Sequence, residues 1–290
     1  MIYIVLIIIF GVVVLYTTGL GLTYFLLVNN LMLWKRGKSR FDFAVERKEL
    51  GNPKRIYYLS HCKNSKGWVL LFHQYGGKAE DMGKRARTYL SLDYSVVMVD
   101  ARGHGQSGWT RTTDALLFAQ DMFEVVKAER LKNPFLLHGV SLGGFAAVFL
   151  AMWVDVKAIV VESIGSDLRT IYENMLRYSP FPYRFYWWLP TFLKWKRRHF
   201  DWVSHNPPYV LYRIKAPTLV VHSQDDNLYK PEEHLGLFYG ALYDNVMARV
   251  WLVPGVGHAH LESYTLWEEG LVKFLTALGV GRSLNLTDEY

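Results

Sequence analysis

Two hydrophobic patterns divide the chain. Residues 1–34 contain no charged side chain and no histidine, and residues 2–28 are almost all apolar, whereas short apolar runs alternate with amphipathic stretches beyond residue 50. A short apolar run predicts a buried strand, and a longer stretch with apolar residues at helical spacing predicts a helix. The second pattern predicts an α/β domain with a mostly parallel central sheet and helices on both faces.

The alternation can be followed along the whole domain. The predicted strands are 56–59, 68–73, 95–99, 135–137, 158–161, 218–221 and 248–253, and the predicted helices are 80–92, 113–131, the segment after residue 143, 232–243 and 262–278. Ligands of such sheets bind beyond the carboxyl ends of the strands. We therefore expect functional residues directly after the predicted strands.

The apolar N-terminal run is long enough to be a membrane anchor. At about 1.5 Å per residue, residues 2–28 would reach about 40 Å as a helix, against a hydrocarbon core of about 30 Å. A cleaved signal peptide is the alternative, but no basic residue precedes the run and no small-residue cleavage motif follows it. The sequence predicts a transmembrane helix within residues 1–34.

A basic segment, residues 35–50, follows the apolar run. It begins with Lys35, Arg36, Lys38 and Arg40. Positive residues are enriched on the cytoplasmic side of membrane spans, so the rest of the chain is predicted to lie in the cytoplasm. Cys62 is the only cysteine, which excludes an internal disulfide framework and agrees with a reducing compartment.

Length limits the remaining organisation. The chain has 290 residues, enough for one α/β domain and an appendage. We assign residues 51–279 to this domain, with an insertion at about 165–212, and residues 280–290 to a tail.

A glycine-flanked serine lies between the predicted strand at 135–137 and the next helix. The motif is Gly139-x-Ser141-x-Gly143. This spacing is typical of a sharp strand-to-helix turn that strains the serine backbone and exposes its hydroxyl at the edge of a sheet. A small-residue turn that happens to contain serine is the alternative.

Other polar motifs follow other predicted strands. They are His73-Gln74-Tyr75, the run from Asp100 to Gly108, the His222 to Asp226 segment, and Pro254-Gly-Val-Gly-His258. A candidate nucleophile, acid and base therefore occur in the order serine, aspartate, histidine. Triads of this kind are recognised by the roles and geometry of their members.

The serine motif and three of these polar motifs, in their order along the chain, resemble the α/β-hydrolase superfamily, in the serine-hydrolase branch that includes membrane-associated esterases and monoacylglycerol-lipase-like enzymes. The resemblance covers about residues 50–279 and rests on D-x-R-G-H-G-x-S-G from Asp100, G-V-S-L-G-G from Gly139, the His222 to Asp226 loop and P-G-x-G-H ending at His258. It implies an α/β-hydrolase fold with a helical cap insertion.

The resemblance also implies roles for individual residues. Ser141 matches the nucleophile, Asp226 the acid and His258 the base, while the backbone N–H groups of Tyr75 and Leu142 match the oxyanion hole. Asp225 is an alternative acid because it adjoins Asp226, and His260 lies two positions beyond His258. Gln74 departs from the family pattern, which has glycine there. Structural roles are expected for His73, His104, Asp100 and Arg102.

The insertion has an unusual composition. Residues 178–202 contain eleven aromatic side chains, accompanied by several lysines and arginines. Such a mixture suits a bilayer interface, where aromatic rings lie at headgroup depth and cations meet anionic lipid. Aromatic residues that simply pack on the domain core, beside a solvated basic face, are the alternative.

Together these observations predict a membrane-anchored serine hydrolase that cleaves carboxylic esters, with lipid or other hydrophobic acyl esters favoured, through an acyl-enzyme. An amidase or peptidase, a thioesterase, an acyltransferase, and a non-catalytic membrane-tethered binding protein are the alternatives. The sequence contains no metal-ligand cluster, phosphate-binding glycine loop or dinucleotide motif. We therefore expect no cofactor, no metal and no nucleic-acid partner.

Overall fold

The computed structural model describes residues 2–28, 37–108, 113–167 and 206–280. Most of the predicted cap insertion, including its aromatic and basic stretch, falls outside these residues, as do Lys35, Arg36 and all but the first residue of the predicted tail.

A central sheet of eight strands organises the described domain. The spatial order is β1-β2-β4-β3-β5-β6-β7-β8. β1 and β2 pair antiparallel to their neighbours, and the remaining pairs are parallel. The strands are β1 Glu46–Leu50, β2 Arg55–Ser60, β3 Trp68–Phe72, β4 Ser95–Val99, β5 Phe135–Val140, β6 Val156–Glu162, β7 Thr218–Ser223 and β8 Arg249–Val253.

Helices cover both faces of this sheet. The helices of the described residues are α1 Ile2–Val28, α2 Gly83–Ser91, α3 Ala115–Ala128, α4 Leu142–Leu150, α5 Pro207–Ile214, α6 Pro231–Leu242 and α7 Trp267–Val280, with short 3₁₀ turns at Ala79–Met82 and Leu261–Ser263. One hydrophobic core joins α3, α4, α5 and α6 to one face. A second core joins α2 and α7 to the other.

The parallel strands β3 to β7 are mostly apolar because both of their faces are covered. In β3, Leu70 belongs to one core, whereas Val69 and Leu71 belong to the other. Successive strand residues point to opposite faces, so a parallel strand covered on both sides needs apolar residues at every position. The predicted mostly parallel sheet with helices on both faces is confirmed.

The first strand lies where no strand was predicted. β1 has the sequence ERKEL and pairs antiparallel with β2, so the sheet begins at Glu46, inside the segment that we assigned to a basic juxtamembrane region. Its side chains are partly or fully exposed. Charged residues are common on edge strands, where they discourage pairing with other chains, but they hide the hydrophobic pattern that predicts a strand.

The predicted transmembrane anchor is not supported by the structure. Of the helices formed by the described residues, none combines the length and the apolar character that crossing a membrane requires.

Candidate active site

Ser141 occupies a tight turn between β5 and α4. Its backbone has φ of 51° and ψ of −116°, an unusual conformation for a residue with a side chain. A Cβ atom added at Gly139 would lie 2.1 Å from the carbonyl oxygen of Gly143. A Cβ atom added at Gly143 would lie 2.2 Å from the carbonyl oxygen of Phe72. Only glycine therefore fits on either side of the serine, as the motif predicted.

Hydrogen bonds fix this turn to the neighbouring strand and helix. The Ser141 N–H donates to the carbonyl of Glu162 at 2.8 Å, and the Ser141 carbonyl accepts from Gly144 and Phe145. Leu142 begins α4, so its N–H has no carbonyl partner within the helix and lies at the positive end of the helix dipole.

The structure brings Ser141, His258 and Asp226 together. The Nε2 atom of His258 lies 2.9 Å from the Ser141 Oγ, and its Nδ1 atom lies 2.9 Å from Oδ2 of Asp226. The three residues follow β5, β8 and β7 respectively, so they meet at the carboxyl edge of the sheet, as expected for this architecture.

Asp226, and not its neighbour Asp225, faces the histidine. The side chain of Asp226 is buried, and its Oδ1 accepts the N–H groups of Leu228 and Tyr229, each at 2.9 Å. Asp225 is exposed, and its N–H donates to the Ser223 hydroxyl. His260 is also exposed. The structure thus distinguishes Asp226 from Asp225 and His258 from His260.

The electrostatics of Asp226 favour its charged form. Burial alone would raise the pKa of this carboxyl, but the hydrogen bond from His258, together with the backbone donor at Tyr229, outweighs burial, and the pKa lies below its ordinary value. Nearby, the Nε2 atom of His222 contacts the Tyr229 carbonyl at 2.6 Å, and burial lowers the pKa of this histidine. Asp226 therefore lies beside a neutral imidazole on one side and His258 on the other.

Tyr75 lies in a turn directly after β3. The turn is closed by the Gly77 N–H, which donates to the Gln74 carbonyl at 3.0 Å. It is also held from outside, because the Gly76 N–H donates to Nε2 of His104 at 3.0 Å. Gln74, where the family has glycine, therefore takes part in the turn through its carbonyl.

Two histidines beside this turn are engaged through both ring nitrogens. His73 contacts the Gln74 carbonyl through Nδ1 and accepts the Ala101 N–H through Nε2. The Nδ1 of His104 contacts the Arg102 carbonyl. Because these rings connect the Tyr75 turn to the loop after β4, their geometry fits a structural role.

Asp100 organises the loop after β4. Its carboxylate accepts the N–H groups of Ala79 and Gln106 at 2.8 and 3.0 Å. Burial nevertheless raises the pKa of Asp100 to about 6, since the hydrogen bonds compensate only in part. Arg102 in the same loop donates to Asp121 at 2.7 Å.

A buried polar cluster lies next to the site, and sequence analysis missed it. Glu162, at the end of β6, is fully buried; its Oε1 lies 2.7 Å from Nε2 of His138 and accepts from Trp267 and Arg85, while its Oε2 accepts from Arg85. Tyr89 completes the cluster through Nδ1 of His138.

Charge pairing decides the ionisation of this cluster. Burial opposes the charge of Glu162, but Arg85 and His138 outweigh it and lower the pKa of the carboxyl to about 2. The pKa of His138 is itself lowered by burial. No local motif predicts such a cluster, because its members come from α2, β5, β6 and α7.

No metal centre is formed by the residues that the structure describes, since none of their His, Cys, Asp and Glu side chains gather in groups of three suited to an ion.

Comparison with known proteins identifies the family of this chain. A family model described as Hydrolase_4, serine aminopeptidase S33, matches residues 63–212, just over half of the chain. The alpha/beta hydrolase domain-containing protein aho-3 of Caenorhabditis elegans is 27% identical over an alignment of 221 residues, and the match covers 72% of this chain and 57% of that protein. The chain thus matches little more than half of that relative's length.

Solved structures share the fold. An esterase from Pyrococcus furiosus superposes with a TM-score of 0.65 at 22% identity, covering 84% of this chain and 98% of that one. The alpha/beta hydrolase domain-containing protein 10 from mouse gives 0.59 at 12% identity, covering 82% and 99%. At these identities the likeness concerns the fold alone.

Proposed function

The chain belongs to the serine aminopeptidase S33 family of the α/β-hydrolase superfamily, and from this premise we propose that it is a serine hydrolase that cleaves carboxylic esters through an acyl-enzyme on Ser141. The observation that carries the proposal is the chain of two hydrogen bonds, each 2.9 Å long, from Ser141 through His258 to Asp226. A serine hydroxyl is a weak nucleophile unless an adjacent base takes its proton, and this chain supplies the base.

In the proposed reaction, the Ser141 Oγ attacks the ester carbonyl carbon while its proton moves to Nε2 of His258. The tetrahedral intermediate collapses when the imidazolium returns this proton to the oxygen of the leaving alcohol. A water molecule then attacks the acyl-enzyme, gives its proton to His258, and releases the acid as the proton returns to Ser141. Proton transfer of this kind contributes about 10²- to 10⁴-fold to the rate.

Asp226 would hold the ring of His258 in the required tautomer. A carboxylate that accepts from Nδ1–H leaves Nε2 free to take the serine proton, and it stabilises the imidazolium that forms. The two backbone donors to Asp226 and its lowered pKa support this role, since both favour a fixed carboxylate.

The N–H groups of Leu142 and Tyr75 are the proposed oxyanion donors. Leu142 follows the nucleophile at the start of α4, and the Tyr75 turn is held by His104. Each well-aimed donor to the developing oxyanion is worth about 3–4 kcal/mol in the transition state.

A fluorophosphonate probe tests this proposal directly. The probe labels an activated serine, so it should react with the wild-type protein and with Ser263→Ala, which removes an exposed hydroxyl that donates to the His260 carbonyl. Labelling should be lost in Ser141→Ala. A well-folded wild-type protein that neither labels nor hydrolyses p-nitrophenyl esters would favour a non-catalytic binding protein.

An aminopeptidase is the second candidate, because the description of the matched family names that activity. A triad of this kind serves both ester and amide hydrolysis, so the fold does not choose between them. Comparing p-nitrophenyl esters with aminoacyl p-nitroanilides at matched concentrations would decide. A higher kcat/KM on the anilides would favour an aminopeptidase over an esterase.

An acyltransferase is tested separately, because it would transfer the acyl group to added alcohol or thiol.

Lipid or other hydrophobic acyl esters are the proposed substrates, and membrane lipid is a proposed partner. The support is the aromatic and basic composition of residues 178–202. A long-chain monoacylglycerol should be hydrolysed faster than a short-chain ester. Indifference to chain length would remove the lipid proposal.

A cytoplasmic location at a membrane surface is proposed from sequence alone, on the uncharged residues 1–34 and the basic residues that follow them. Expression of the full chain and of residues 35–290, followed by alkaline extraction of membranes, would test it. Complete release of the full chain into the supernatant would contradict a membrane location.

A further inference from the structure

Ser163 lies directly behind the proposed triad. It follows the last residue of β6, is fully buried, and has φ of 50°. Its N–H donates to the carbonyl of Val221 in β7 at 3.0 Å, so its backbone is tied to the adjacent strand. A buried serine in the left-handed region is unusual and calls for a local reason.

The hydroxyl of Ser163 faces the loop that carries His258. Its Oγ accepts the N–H of Ala259 at 3.1 Å. Ala259 is itself left-handed, with φ of 61°, and Gly255 and Gly257 in the same loop also have positive φ. A loop of this shape has no regular ladder to hold it, so a single side-chain acceptor has a large influence on where His258 lies.

The residue before Ser163 holds the nucleophile. The carbonyl of Glu162 accepts the Ser141 N–H at 2.8 Å, while its side chain is held by Arg85, His138 and Trp267. Glu162 therefore binds the backbone of Ser141, and the next residue, Ser163, binds the loop that carries His258. The buried ion pair of Glu162 with Arg85 holds the end of β6 in place.

We propose that Ser163 is a positioning residue, whose hydroxyl sets the position of His258 relative to Ser141 through the Ala259 amide. The proposal rests on the proposed hydrolase function for its kinetic consequence, but not for its structural one. Without the hydroxyl, the buried Ala259 N–H loses its acceptor, and the His258 loop shifts to satisfy it elsewhere. Displacing a catalytic group by about 1 Å can lower the rate by about 100-fold.

Ser163→Gly separates positioning from folding. It removes the hydroxyl and at the same time relieves the backbone, because glycine adopts a positive φ freely. The matched control is Ser95→Ala. Ser95 is also buried, and its Oγ accepts a backbone N–H, that of Cys62 at 3.0 Å. It lies at the start of β4, whereas the proposed triad lies beyond the carboxyl ends of the strands.

The kinetic readout is hydrolysis of p-nitrophenyl butyrate. Ser163→Gly should lower kcat by about 10- to 100-fold with KM changed less than about twofold, since the substrate still binds while proton transfer is misaligned. Ser95→Ala should retain the wild-type kcat. If the wild-type enzyme is active and Ser163→Gly matches its kcat, the positioning role is wrong and the hydrolase proposal stands.

The structural readout does not require activity. The proton between Nδ1 of His258 and Asp226 should give a low-field NMR resonance in protein labelled with ¹⁵N-histidine, assigned by its loss in Asp226→Asn. This resonance should shift or broaden in Ser163→Gly and remain unchanged in Ser95→Ala. An unchanged resonance in Ser163→Gly would overturn the positioning role, whether or not the wild-type protein is active. An inactive wild-type protein would by itself contradict only the proposed function.

Discussion

A Cβ atom on Gly139 would lie 2.1 Å from the carbonyl oxygen of Gly143. The strand that leads to Ser141 and the helix that leaves it thus cross at backbone contact distance. Gly139→Ala should lower the free energy of unfolding by more than about 3 kcal/mol or prevent folding, because the atoms that the new Cβ meets belong to the backbone of Gly143 and Gly144 and cannot move aside.

The control for this substitution is Gly236→Ala in α6. A Cβ at this position meets no atom within 4 Å. Alanine is a better helix former than glycine, so this variant should be more stable by about 0.5–1 kcal/mol. Urea denaturation followed by circular dichroism compares the two, and equal stability would contradict the crossing geometry.

Asp226 and Asp225 offer a matched test of the acid. Asp226→Asn should lower kcat by about 10⁴-fold, because an amide facing Nδ1 favours the wrong imidazole tautomer. Asp225→Asn should retain activity, since the Asp225 side chain is exposed. Ester hydrolysis with purified variants measures both; a large loss in Asp225→Asn would reverse the assignment.

His104 should matter for rate through the Tyr75 turn. His104→Ala removes the acceptor of the Gly76 N–H, so kcat should fall by about tenfold as the proposed oxyanion donor at Tyr75 loses its support. His61→Ala is the control, because His61 packs edge-on against Trp68 at the start of β3, away from the site. Unaltered kcat in His104→Ala would argue against Tyr75 as a donor.

The ion pair of Glu162 with Arg85 should be essential for stability. Glu162→Gln leaves the buried guanidinium of Arg85 with Glu262, 2.8 Å away, as its remaining counter-charge, so the cost should approach but not exceed the about 3–5 kcal/mol of a broken buried pair. Glu269→Gln removes an exposed pair with Lys273 and should have no measurable effect. Chemical denaturation of both variants tests the difference between a buried and an exposed pair.

Asp100 should make stability depend on pH in a defined direction. Its pKa is raised to about 6 from an ordinary value of 3.8. Between these values the folded protein binds more protons at this site than the unfolded chain, so the Asp100 contribution to stability increases as pH falls from 6 to 4, by up to about 3 kcal/mol.

Asp100→Asn should remove this contribution. The difference in unfolding free energy between wild type and Asp100→Asn should grow in favour of wild type from pH 7 to pH 4, as measured by urea denaturation. The exposed Asp225→Asn serves as control. Parallel pH curves for wild type and Asp100→Asn would show that Asp100 titrates at its ordinary pKa.

Sequence predicted the parts of the molecule that local pattern determines. The elbow at Ser141 is encoded by two glycines within five residues, and β4 was predicted with its observed bounds because every residue in it is buried. The family resemblance favoured Asp226 as the acid and left Asp225 as the alternative; the structure places Asp226 at hydrogen-bond distance from His258 and leaves Asp225 exposed. The Glu162 cluster was not predictable, because Arg85 lies 77 residues and Trp267 lies 105 residues from Glu162 in sequence.

The backbone conformation of Ser141 lowers the stability of the fold. A residue held at φ of 51° and ψ of −116° stores conformational strain that glycine would relieve. Ser141→Gly should therefore raise the stability of the protein while removing the proposed nucleophile. The same distortion places the hydroxyl 2.9 Å from His258, so efforts to make this fold more heat-resistant should leave this turn unchanged.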